Sequence, residues 1–221
     1  MYSAKTSGFD ISSRTQKLEE KITIDCGERL PIEIYLVAEL PPGLGNVIVR
    51  NGLQRQQKHE NFVEEYNVLS ARIINVDLSR DNLTAIYTFG IEKDLVFHRH
   101  TGQRAITAIS GSSGVLLKFS SATPEEVEQN PQLFLEKMSF VEIPPDVIFI
   151  LRFYGGTWHQ FCSHGGQEGL FAVTVHVDEM EGLEEDEFLR NEVLSGNSSI
   201  PLLTECVPLN IEELLKVENI I

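Results

Sequence analysis

Cysteine is scarce in this chain. Cys26, Cys162 and Cys206 are the whole supply, and no C-x-x-C pair occurs among them. That excludes a zinc site built on paired cysteines, and three scattered thiols suit a reducing, intracellular setting. Basic residues are also few: 18 Lys and Arg face 33 Asp and Glu, for a formal charge of −15. Such a surface repels phosphate backbones, which sets aside nucleic acid and anionic membranes as partners. No run approaches the roughly 18 apolar residues of a membrane span. Residues 1–20 lack the apolar core of a signal peptide, so a cytoplasmic protein is expected. Internal repeats and low-complexity tracts are missing as well.

What remains is ordinary globular material. The chain has 221 residues, 42% hydrophobic and 23% charged, enough for one well-packed domain with appendages. Residues 1–20 read as a loose polar arm, 21–181 as the main domain with an N-terminal strand extension, and 182–221 as a helical tail. Short β-like segments recur at 21–26, 31–40, 46–50, 71–78, 83–90, 94–100, 105–110, 114–120, 139–143, 146–154, 157–161 and 170–177. They are punctuated by Asp, Asn, Gly and Ser. Helical patterns occur singly, at 52–70, 123–138, 182–194 and 210–221. The second opens Thr-Pro-Glu-Glu, a capped start with proline in the first turn. Strands in such number, without alternating helices, predict an all-β barrel or jelly roll with a few peripheral helices.

The chemistry concentrates at 97–111, FHRHTGQRAITAISG. On an extended backbone, residues i and i+2 share a face. His98 and His100 therefore converge, while Phe97 and Arg99 face the other way. The pair suits a metal ion, a proton-handling couple, or no chemistry at all.

This stretch resembles the first signature of the cupin superfamily, which reads HxH, three or four residues, Glu, then six residues and Gly. His98 and His100 supply HxH and Gly111 the final Gly, but the Glu position holds Arg104. YGGTWHQFCS is similar to the second signature, P-x-G-x-x-H with Asn further on, through Gly156 and His159. Tyr154 stands for the Pro and Ser163 for the Asn. The resemblance covers about residues 75 to 178 and implies the cupin-type double-stranded β-helix. It also implies that His98, His100 and His159 meet in the barrel, able to hold one divalent transition metal (iron, manganese, nickel, copper or zinc). Arg104 cannot replace the family's Glu as a ligand, because guanidinium stays protonated and offers no lone pair. Pointing inward, it would repel a cation and attract a carboxylate or phosphate; pointing outward, it would leave a three-histidine site intact.

Other residues carry less. Arg152, inside the apolar run VIFILRFY, is either an edge residue or a second anion contact. Tyr87 can supply an acid or a hydrogen bond, or simply pack. His59 and His164 read as solvated, His176 as core or surface, Lys118 as facing water, and Cys162 as a packed thiol. Ser110–Gly114 read as a β-turn rather than a phosphate loop. Three functions stay open. The first is a metal-dependent oxygenase or isomerase on a small organic acid, with Arg104 or Arg152 pairing the carboxylate. The second is a metal-free isomerase of nucleotide-linked sugars using His98 and His100 as acid and base. The third is a non-catalytic ligand-binding or dimerisation module, with 210–221 available to pack on a second subunit in a homodimer.

Overall fold

The computed structural model describes residues 9–65, 68–74, 84–91, 95–164, 169–183 and 186–221. In the first half lie β1 (Thr15–Lys17), β2 (Lys21–Ile24), β3 (Ile32–Glu39), α1 (Leu44–Gln56), β4 (Phe62–Glu65), β5 (Val68–Ile74) and β6 (Ala85–Ile91). The centre holds β7 (His98–His100), β8 (Gln103–Ser110), β9 (Val115–Ser120), α2 (Pro124–Gln129) and α3 (Gln132–Glu136). Then follow β10 (Met138–Ile143), β11 (Val147–Phe153), β12 (Trp158–Ser163), β13 (Leu170–Val177), α4 (Glu187–Leu194), β14 (Thr204–Cys206) and α5 (Leu209–Val217). The strands form two sheets, ordered β1-β10-β9-β12-β7-β14 and β2-β3-β11-β8-β13-β6-β5-β4. Facing each other, they make the expected cupin-type jelly-roll barrel.

Alternation along the strands builds the interior. On β8, Arg104, Ile106, Ala108 and Ser110 are buried while the residues between them are not; on β13, Leu170, Ala172, Thr174 and His176 behave likewise. The main core lies between the sheets and includes Ile34, Leu117, Phe119, Phe149 and Phe161. A second core covers the back of the six-stranded sheet, where Trp158 and Phe140 meet Val127, Phe134, Ile211 and Leu215 from α2, α3 and α5. Among the described residues, no helix is long and apolar enough to cross a membrane.

Several local expectations give way. Residues 46–50 are helical, because α1 lays Gly45, Val49, Leu53 and Gln56 inward at helical spacing, and tertiary packing overrides β-branched propensity. The helix expected over 52–70 stops with α1, and Phe62–Glu65 pairs with Val68–Ile74 as a hairpin. The helix of 123–138 breaks in two before Pro131, where Asn130 is extended, the conformation a following proline imposes. The arm of 1–20 is not loose over its described part: β1 adds to β10 in parallel and Leu18 is buried. Residues 1–8 lie outside the described residues, as do parts of the segments at 71–78, 83–90 and 94–100. The tail contributes a strand as well as helices, β14 pairing with β7. Lys118 is buried, not solvated, its Nζ donating to Gln160 Oε1 at 2.9 Å and to the Ile220 carbonyl at 2.6 Å beneath the C-terminal segment.

Candidate metal centre in the barrel cavity

β7 and β12 pair antiparallel with His159 directly opposite His98, and His100 follows on the same face. The Gly-Gly turn before β12 sets this approach: Gly156, at φ 75°, donates its N–H to the His100 carbonyl at 2.8 Å. A side chain on Gly155 would run into the backbone of Gly102, at 2.4 Å from its oxygen. The three rings lie with centroids 4.9 Å (His98–His100), 4.4 Å (His98–His159) and 5.2 Å (His100–His159) apart. One ligand atom from each lies within 4.8 Å of the others. All three residues are buried.

Hydrogen bonds fix their chemistry. Nδ1 of His98 meets the Val96 carbonyl at 3.2 Å, that of His100 the Leu203 carbonyl at 3.3 Å, and that of His159 the Thr157 carbonyl at 2.9 Å. A carbonyl only accepts, so each Nδ1 carries the proton and each Nε2 keeps a lone pair. Three such nitrogens converging is the donor set that suits a divalent transition metal, with Nδ1 anchored as metal-bound histidines usually are. Burial, then the neighbouring His98 and Arg104, hold His100 and His159 well below the ordinary histidine pKa. Neutral imidazole is the form a metal needs.

The opposite wall belongs to β8 and β13. Arg104 points inward and is 2% exposed. Its Nη1 donates to the Gln103 carbonyl at 3.2 Å. Nε and Nη2, the edge that grips a carboxylate through two parallel bonds, have no hydrogen-bond partner among the described residues. Burial brings its pKa down to about 10, so the cation persists at neutral pH. Arg104 and the histidines line one narrow cavity with Thr174, His176, Phe153, Phe161 and Ile200. Water molecules can place their centres in only about 30 Å³ of it, room for a ligand of a few heavy atoms.

Two expected site residues lie elsewhere. Arg152 sits on the outer face of β11 with its side chain 58% exposed, ion-paired with Glu33, because it alternates with the buried Leu151 and Phe153. Tyr87 is buried but does not line the cavity; its hydroxyl lies 3.1 Å from Ser198 Oγ, and burial pushes the phenol up. His164 is exposed. His176, expected in core or surface, lines the cavity instead, its Nδ1 on Glu179 Oε1 at 3.2 Å. Glu179 went unread in the sequence, since one more carboxylate in an acidic chain looks like solvated surface.

A cupin-type barrel with a buried three-histidine cluster is the class that the fold and the cavity define. No family model and no curated protein sequence matches the chain. Similar solved structures include hydroxypropylphosphonic acid epoxidase from S. wedmorenis, at 9% identity and TM-score 0.35 over 52% of this chain and 53% of that one; the chain thus matches about half the epoxidase's length. A cupin 2 domain-containing protein from Halorhodospira halophila matches at 12% identity and TM-score 0.35, over 62% and 83%. The capsular polysaccharide assembling protein from Staphylococcus aureus matches at 12% and 0.34, over 57% and 32%. Likeness at this level says nothing about activity, which has to be argued from the cavity.

Proposed function

We propose that this protein is a metal-dependent enzyme, of oxygenase or isomerase type, acting on a small organic acid inside the barrel. The observation that carries the reading is the convergence of one ring nitrogen each from His98, His100 and His159 within 4.8 Å, in rings whose Nδ1 atoms each meet a carbonyl. A bound divalent metal would supply Lewis acidity and open positions for oxygen ligands. The chain's own residues do the rest. Arg104 anchors the substrate carboxylate through Nε and Nη2, which meet no other acceptor among the described residues. Phe153, Phe161 and Ile200 exclude water around it. The narrowness of the cavity favours a small acid over a nucleotide-linked sugar, and so favours this reading over the metal-free isomerase.

Elemental analysis of the untagged protein, purified without added metal, tests the proposal. About one transition-metal ion per chain is expected, with His159→Ala losing at least tenfold in affinity. A protein that stays metal-free when titrated with iron, manganese, nickel, copper and zinc in turn would sink it.

A further inference from the structure

The cavity wall facing the three histidines carries three polar side chains on two paired strands. Arg104 on β8 stands opposite His176 on β13, and Thr174 lies two residues along β13 on the same face. All three are buried and line the cavity. Among the described residues the Nε–Nη2 edge of Arg104 and Oγ1 of Thr174 have no hydrogen-bond partner.

His176 is held differently. Its Nδ1 lies 3.2 Å from Glu179 Oε1, and Glu179, fully buried, also accepts from Ser198 Oγ at 3.1 Å. A carboxylate only accepts, so His176 keeps its proton on Nδ1 and leaves a bare Nε2 for the cavity. Its ring packs tilted against that of Tyr87, with centroids 4.4 Å apart, and its centroid lies 6.4 Å from that of His100. The metal-capable group comprises His98, His100 and His159 without it. The wall therefore offers a charged two-pronged donor beside a bare acceptor.

We propose that this wall selects a 2-hydroxy acid. Arg104 holds the carboxylate, and His176, oriented by Glu179, accepts the hydrogen bond of the hydroxyl on the neighbouring carbon. The proposal rests on the acid-binding role given to Arg104 above and adds specificity through His176. A 2-oxo acid would turn a second acceptor towards Nε2, and an unsubstituted acid would leave Nε2 unpaired, so both bind more weakly.

Calorimetric titration with lactate, pyruvate and propionate, alike in size and charge, tests it at pH 8 on the wild type and on His176→Phe. The Phe ring keeps the packing on Tyr87 and removes the acceptor. Wild type is expected to bind lactate about tenfold more tightly than either rival, the effect of one hydrogen bond made or left unmade. His176→Phe should lose that preference, lactate weakening while propionate binds at least as tightly as to the wild type. Equal binding of all three acids by the wild type overturns the inference and leaves acid binding standing; this arm decides even if the variant fails to fold. A lactate preference that survives in His176→Phe also overturns it, since chelation of metal by the hydroxyl would then be the cause. If none of the three binds, the acid reading falls with it, whereas the metal proposal is judged separately by elemental analysis.

Discussion

Arg104 is the residue on which the cavity's character turns. Buried at 2% exposure with a whole donor edge unpartnered among the described residues, it carries a desolvation cost that those unmade hydrogen bonds do not repay. Arg104→Met is expected to lower affinity for small acids at least tenfold in titration, and it leaves the buried Glu179 without the charge of Arg104 that favours its carboxylate. Arg104→Glu removes the cation facing the imidazoles and supplies a carboxylate where the family resemblance places one. Metal affinity should rise and acid affinity fall, and a variant with both affinities unaltered would show that Arg104 does not govern the cavity. The direction of Arg104 stayed open in the sequence, although its place in the HxH count pointed inward; the burial pattern of β8 is what turns it into the cavity. The role of His176 was not legible, because alternation put it on one face of its strand without saying which face was inside.

Among the elements, α1 is where sequence and structure part most clearly. NVIVR alternates like a strand, yet it is helical because Val49 and Leu53 bury on the back of the eight-stranded sheet, where Gly52 and Gly90 admit Phe171 and Leu53 at close range. The helix start is secured from a distance. Asp146, about a hundred residues on, accepts from the Gly43 N–H at 3.0 Å, the Gly45 N–H at 2.7 Å and Ser112 Oγ at 2.7 Å. No local window of sequence contains that cap, so local reading could not find the helix. Hydrogen bonds to a charged group contribute about 1.5–3 kcal/mol, and Asp146→Ala should lower stability by an amount in that range. Hydrogen exchange should show the first turns of α1 losing protection while β7 and β12 keep theirs. By contrast β8 to β13 were read nearly to the residue, since alternation and turn residues are local signals and the barrel agrees with them.

For the molecule as a whole, the net charge of −15 and the buried imidazoles pull stability in opposite directions as acid is added. Protonating surface carboxylates relieves self-repulsion, but carboxylates with ordinary pKa values titrate near pH 4. The histidines act first. His100, His159 and His176 are held well below 6.5, chiefly by burial and further by the charge of Arg104. The unfolded chain therefore takes up their protons below pH 6.5 while the native chain does not. Stability then falls with falling pH, at about 1.4 kcal/mol per pH unit for each histidine. Glu179 works the other way: burial raises its pKa, so the native state gains a proton that the unfolded state lacks, offsetting at most one of the three. A net of two or three protons gives a slope of about 3–4 kcal/mol per pH unit, against a typical total stability of about 5–15 kcal/mol. The metal-stripped protein should accordingly lose urea resistance steadily between pH 6.5 and 5, before the surface carboxylates titrate. Replacing His176 with Phe should make that slope shallower by about one proton. A midpoint that stays flat or rises across this window would mean that the imidazoles are protonated in the native cavity, and the lone-pair geometry proposed for metal and substrate would fall with it.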